Sequence, residues 1–333
     1  MKSWHVLVMA GWLGLCCCAA PASPRGCPGE GQPAGYRAAR GVGRICAADL
    51  HEISGLAASR RMDGVLWAVN DSGNAPHLFA LGLQGQALGE LRIKGVENID
   101  WEDLASFTWR NQPYLLIADV GDNRGLRPEV LLHAVPEPVP GADGRFTGEV
   151  SPAWSIRLRY EDGPRDCEGV AVDSQVGLVL LLSKRTDPPV FYQVPLLPSE
   201  PGRLQVARRL VEMGSLRLTG DAGRQTSFIP RPWPTALDIR ADGGAMVILT
   251  YREALLYRKD SRQSWADAMA RAPQVLALPS LDLLPQPEAI AFDRDNALYL
   301  TSEGRGSTLF RMDAEKPCQR APAAVGEKAS GLP

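Results

Sequence analysis

The stretch Trp101-Glu102-Asp103-Leu104-Ala105, followed by Tyr114-Leu115-Leu116-Ile117-Ala118 and then Asp119-Val120-Gly121-Asp122-Asn123, sets a pattern that recurs along the chain. A polar or acidic residue, a small or acidic one, an aliphatic one and Ala also open Ser54-Gly55-Leu56-Ala57, Glu168-Gly169-Val170-Ala171 and Glu288-Ala289-Ile290-Ala291. Thr235-Ala236-Leu237-Asp238 is a degenerate copy. The column Ser54, Glu102, Glu168, Thr235, Glu288 advances by 48, 66, 67 and 53 residues. A second apolar run follows each time, as in Gly64–Val69, Leu178–Leu182, Met246–Leu249 and Ala297–Leu300, and ends in a polar cluster that opens 13 to 17 positions after the column residue. Third runs start at His77, Val130, Val190, Ala254 and Thr308, and fourth runs at Ala87, Ala153, Leu204 and Gln274.

Apolar runs of this length, separated by Gly, Pro, Asn and Asp, specify an all-β chain. Repeats of four strands specify propeller blades, whereas a β-sandwich explains the apolar runs but not their recurring offset. The expectation is a single β-propeller of five four-stranded blades, or six if residues 211–234 carry a weak one. The last repeat has only Glu315–Pro333 after its third run, too little for a fourth strand, and Gly43–Ala48 is expected to supply it from the N-terminal side. That strand would close the ring, and a Cys46–Cys318 bridge would lock the seam.

With 45% apolar and 22% charged residues the chain has enough apolar content for a packed core. Its 33 Gly and 27 Pro suit many short strands and turns. Lys+Arg 36 against Asp+Glu 38 gives a net charge of −2, which removes the electrostatic basis for binding nucleic acid.

Lys2, the apolar run Val6–Leu15 and the small residues Ala20-Pro21-Ala22 have the form of a secretory signal peptide, with cleavage expected after Ala22. The run is too short to span a bilayer, which needs about 20 apolar residues. Cys16-Cys17-Cys18 present a second outcome, lipid attachment to one of these cysteines. The resulting organisation is a signal peptide at 1–22, an exposed linker at 23–42, the propeller at 43–315 and a C-terminal tail at 316–333. Periplasmic or extracellular export makes two disulfides the expectation for Cys27, Cys46, Cys167 and Cys318. A zinc site built from these four lacks any Cys-x-x-Cys pair.

First strands of a propeller line its central channel, so the column should point near the axis. The ends of the second strands should join it through Asn70, Asp71, Asp119, Asp122, Asn123, Lys184, Arg252 and Glu303, with Glu52 and Asp103 flanking. Converging carboxylates must raise their pKa values, recruit Lys or Arg, or bind a cation. Calcium or another hard divalent cation suits such oxygen donors, and no metal-binding histidine spacing occurs. Hydrogen bonding to neighbouring backbone N–H groups is the structural alternative for the same residues.

Two functions follow. In a metal-assisted hydrolase of an ester, lactone or phosphoester, Glu168 or Glu303 would serve as base, and Lys184, Arg252 and Arg305 would hold a small anionic substrate. In a noncatalytic propeller, a face including the loop Arg124–Pro128 would bind an envelope protein. A monomer is expected in both cases. No Gly-x-Ser-x-Gly elbow or phosphate-binding Gly-rich loop is present, and Trp101, Trp109, Trp154, Trp233 and Trp265 are assigned to blade packing.

The strings at Ser54–Ala57, Trp101–Ala105, Ile117–Asn123 and Glu288–Asp293 resemble those of secreted bacterial β-propellers grouped with the TolB-like, NHL and gluconolactonase-type or phytase-like esterase propellers. The resemblance spans roughly residues 45–315. It implies a divalent cation in the channel, held by Glu102, Glu168 and Glu288, with Asn70 and Asp119 assisting.

Overall fold

A computed structural model describes residues 35–213 and 232–315. Strands β2 (Ile53–Ala58), β3 (Val65–Asn70), β4 (His77–Gly82) and β5 (Ala87–Ile93) form the first antiparallel set after the short N-terminal strand β1 (Arg40–Arg44). The second set is β6 (Trp101–Trp109), β7 (Gln112–Asp119), β8 (Val130–Pro136) and β10 (Trp154–Tyr160), with the two-residue β9 (Glu149–Val150) added to the edge of β5. Then come β11 (Cys167–Asp173), β12 (Leu178–Ser183), β13 (Val190–Pro195) and β14 (Leu204–Glu212). The fourth set is β15 (Pro234–Ile239), β16 (Ala245–Thr250), β17 (Glu253–Arg258) and β18 (Gln274–Ala277), with one helical turn, α1 (Trp265–Met269), before its last strand. The fifth is β19 (Pro287–Phe292), β20 (Leu298–Ser302) and β21 (Thr308–Met312), completed by β1 pairing antiparallel with β21.

The first strands touch in cyclic order: β2 lies against β6, β6 against β11, β11 against β15, β15 against β19, and β19 against β2. Each seam between neighbouring sets holds its own apolar cluster. Alternation along the second strands divides their side chains between seams. Trp67 and Val69 face the β6 side, while Leu66 and Ala68 face the β19 side. Leu115 and Ile117 part from Leu116 and Ala118 in the same way. Successive side chains of a strand point to opposite faces, so a blade buried on both faces reads as an unbroken apolar run. This all-β arrangement is a β-propeller. Among the described residues no helix is long and apolar enough to cross a membrane.

Two details differ from the sequence reading. The strand pairing with β21 begins at Arg40, inside the expected linker, and Tyr36 bridges Ala314 before it. Glycine permits this course: a Cβ on Gly43 would come within 2.0 Å of the Gln84 carbonyl oxygen. The outer strands β10 and β14 pair in parallel, joining two blades into one eight-stranded sheet. Cys167 is buried and Cys46 exposed, and they are not bridged to each other. Cys27, Cys318, the expected signal peptide with Cys16–Cys18, the expected tail and the 214–231 part of the candidate sixth blade lie outside the described residues.

One side chain ties three blades at the hub. Asp103, on β6, is wholly buried; its Oδ1 accepts from the Leu104 N–H at 2.8 Å, and its Oδ2 accepts from Val170 on β11 at 2.8 Å and Leu237 on β15 at 3.1 Å. Asp238 repeats the device, accepting from Ile239 and from Phe292 on β19. Buried amides left without an acceptor cost about 1–3 kcal/mol each. Asp103→Ala is therefore expected to lower the unfolding free energy by about 2–5 kcal/mol in urea titrations; an unchanged midpoint would show that the amides find other partners.

Candidate functional site

All five first strands carry the same irregularity. Pairing with the second strand slips between Ile53 and Gly55, Trp101 and Asp103, Cys167 and Gly169, Pro234 and Ala236, and Pro287 and Ala289. The residue passed over is the column residue each time. An extra residue of this kind leaves the ladder and has its side chain re-aimed. Chemistry then decides its destination. Ser54 Oγ donates to the Trp101 carbonyl and Thr235 Oγ1 to the Pro287 carbonyl, both at 2.8 Å and both across to the next first strand. Glu102, Glu168 and Glu288 instead line a cavity of about 200 Å³ at the channel mouth.

Two more repeating positions frame the mouth. The residue two before the column (Glu52, Asp100, Asp166, Trp233, Gln286) accepts a backbone hydrogen bond from a residue just beyond the second strand (Asp71, Gly121, Lys184, Tyr251, Glu303) at 2.8–3.4 Å. Five such clasps hold the mouth, and all but Gly121 among the donors present a polar side chain to the cavity.

The two sides of the mouth differ in charge balance. On one side Lys184 Nζ lies 2.7 Å from Glu168 Oε1, and Arg185 Nε lies 2.6 Å from Asp166 Oδ2 while its guanidinium stacks over Trp233 and its Nη2 donates to Asn123. Tyr251 OH donates to Glu288 Oε1 at 2.8 Å, and Gln286 Nε2 donates to the same oxygen at 3.1 Å and to Glu303. On the other side Asp71, Asp100 and Glu102 bring carboxylate oxygens within 4.8 Å of one another. Among the described residues these three make no ion pair with Lys or Arg. Glu102 also joins Asp166 and Glu168 in a second group of the same span.

Burial and mutual repulsion raise the acids. Asp100 is pushed up to about 6 by burial and by Asp71, and Glu102 rises well above its ordinary value through burial and then Glu168. Glu168 reaches about 8 and Glu288 about 7, burial outweighing the pull of Lys184. Glu303 rises through burial, then Asp71 and Glu52.

Of the expected metal ligands the structure gathers Glu102, Glu168 and Glu288 at the cavity and leaves out Asn70 and Asp119. Both sit on second strands directly opposite the residue before the slip, so they serve the loops instead. Asn70 Oδ1 accepts from the His51 and Glu52 N–H groups, and its Nδ2 donates to the Asp49 carbonyl. Asp119 accepts from the Ile99 and Asp100 N–H groups and pairs with Arg127 at 2.7 Å. Asp119 is a positioning residue for Asp100, and Arg127 Nη1 also holds the Gly121 carbonyl at 2.7 Å. Asn98 fixes the other partner: its Nδ2 donates to the Asn70 and Asp71 carbonyls while its Oδ1 accepts from the Trp101 N–H.

The expected base candidates Glu168 and Glu303 both reach the cavity, as does Lys184, but Lys184 is buried and engaged by Glu168. Arg252 and Arg305 do not line it. Arg252 is exposed, and Arg305 is exposed with Nη1 tied to the Ala48 carbonyl at 2.8 Å. Arg185, Tyr251, Gln286 and Asp100 were not singled out from sequence. Counting two residues back from each column residue finds Asp100 and Gln286.

No protein-family model and no curated protein matches this chain. Among solved structures, a chain in the crystal structure of a nidogen/laminin complex is similar over 76% of this chain and 73% of its own, at 14% identity and a TM-score of 0.40. Luciferin-regenerating enzyme is similar over 84% of this chain and 95% of its own, at 10% identity and a TM-score of 0.44. The functional reading rests on the residues of the site.

A carboxyl raised on folding binds its proton more tightly in the native state, so stability falls as pH rises through the interval between the unfolded and folded values. For Asp100, Glu288 and Glu168 that interval runs from 3.8 or 4.5 to about 6, 7 and 8. Lys184, raised above 10.5, contributes its full stabilisation throughout this range and adds no slope. In chelator the melting temperature is expected to fall between pH 5 and pH 8, and calcium should flatten the decline. A chelator profile that rises over the same range would contradict the assignment.

Proposed function

We propose that this chain is an exported β-propeller whose channel mouth binds a hard divalent cation, calcium by its donor chemistry, and hydrolyses an ester, lactone or phosphoester of a small anionic substrate. The observation that carries the reading is the approach of the Asp71, Asp100 and Glu102 oxygens to within 4.8 Å without a basic partner among the described residues. The donor set fits such an ion. It is all oxygen, as calcium prefers. It also depends on the glycine at the equivalent clasp position: a Cβ on Gly121 would come 2.2 Å from Glu102 Oε1 and 2.5 Å from Asp100 Oδ2.

Asp71, Asp100 and Glu102 would hold the cation, which supplies Lewis-acid polarisation of the substrate oxygen. Glu303, half-buried at the cavity wall with its carboxyl raised towards neutrality, takes the proton of the attacking water. Glu168 is held by the Lys184 ammonium at 2.7 Å and is not free to take that proton. Arg185 is the partly exposed cation of the lining, anchored by Asp166 and Asn123 and stacked on Trp233, and it receives the anionic group. Export rests on the signal-like segment at 1–22 and predicts a mature product that begins at Ser23.

Calorimetric titration with calcium and a panel of ester, lactone and phosphoester substrates test the proposal. Glu102→Gln should weaken calcium binding at least about tenfold, near 1.4 kcal/mol. Glu303→Gln should cut kcat by about 10²–10⁴ at unchanged calcium affinity. Calcium binding without any turnover would replace the hydrolase with a propeller that presents its cation to a partner, and absence of both would end the proposal.

A further inference from the structure

The five clasp positions around the mouth are Asp71, Gly121, Lys184, Tyr251 and Glu303, and Lys184 alone among them is a cation. It is buried rather than offered to solvent. Its Nζ lies 2.7 Å from Glu168 Oε1 and 5.3 Å from the centre of the Tyr251 ring, whose hydroxyl is bound to Glu288. Glu168 in turn belongs to the group in which Glu102, Asp166 and Glu168 bring oxygens within 4.8 Å of one another. An ammonium is thus seated on one carboxylate of that group, Glu168, while Arg185 pairs with Asp166; the trio Asp71, Asp100 and Glu102 has the same spacing and no Lys or Arg pair among the described residues. The separation of 2.7 Å is that of a charge-assisted hydrogen bond, so the ammonium neutralises Glu168 directly.

We propose that Lys184 is a tethered counter-ion that takes, on the Glu168 side of the hub, the place of a divalent cation and so limits the chain to one exogenous ion. The count of one for the unaltered protein rests on the proposed function; the role of Lys184 does not. Removing the ammonium leaves Glu168 buried and unpaired beside two other acids, an arrangement that is strongly destabilising unless another positive charge arrives. A divalent ion can meet that need through the carboxylate oxygens of Glu168 and Glu102, with Asp166 keeping its pair with Arg185.

The test is calcium stoichiometry, by calorimetry and by elemental analysis of the gel-filtered protein, for the unaltered chain, Lys184→Met and the double variant Lys184→Met/Glu168→Gln. Lys184→Met is expected to bind one calcium more than the unaltered chain, and the double variant to return to the original number. A Lys184→Met protein that folds only in millimolar calcium supports the proposal equally. An unchanged stoichiometry in folded Lys184→Met overturns it, as does failure to fold even in calcium when the double variant folds, or an extra ion that persists in the double variant. If the unaltered chain binds no calcium but Lys184→Met binds one, the cation is lost from the proposed function while the role of Lys184 stands.

Discussion

Five strands pressed around one axis leave their column side chains very little room, and the one-residue slip in each is the constraint on which the rest of the molecule depends. The hub is packed backbone to backbone: a Cβ on Gly55 would come 2.5 Å from the Leu104 nitrogen, and one on Gly169 would come 2.9 Å from Leu237 Cβ. The slip frees a single side chain per blade from that crowd. A hydroxyl at this place donates across to the neighbouring first strand, as at Ser54 and Thr235. Glutamates at this place reach the mouth, as at Glu102, Glu168 and Glu288. The interruptions in the acidic column are therefore part of the bonding between first strands, and the acids that remain line the cavity.

Charge balance then divides the mouth. Lys184, Arg185 and the Tyr251 hydroxyl meet the acids contributed by β11 and β19, and the blade begun by β6 brings Asp100 and Glu102 to Asp71 with no Lys or Arg pair among the described residues. Asp119, Asn98 and Arg127 hold the backbone that carries those acids, so a rigid frame keeps like charges together that would otherwise move apart. Polar groups that converge under such constraint are the usual basis of a binding site.

The repeated runs, the column and the outer strands were legible in the sequence because a blade buried on both faces writes its second and third strands as plain apolar segments. The N-terminal contribution to the last blade was legible too, displaced by a few residues because Gly41 and Gly43 let the chain approach earlier than the apolar pattern around Ile45 suggests. The site was legible at its glutamates and misread at its flanks. Asn70 and Asp119 share the polar clusters of Asp71 and Gly121, but one or two residues along a strand end decide whether a side chain enters the channel or ties a loop. Arg185 follows Lys184 directly, and only the coordinates show the first buried on Glu168 and the second stacked on Trp233. Tyr251 acts through a hydroxyl reaching Glu288, a contact between blades that no local pattern records.

The most direct measurement is a crystal structure of the protein grown in calcium, with the ion identified by its anomalous signal. The account predicts one calcium at the channel mouth, within 2.3–2.6 Å of carboxylate oxygens of Asp71, Asp100 and Glu102, and the Lys184 ammonium still on Glu168. An ion bound elsewhere, or these carboxylates dispersed into solvent with no ion between them, would contradict it.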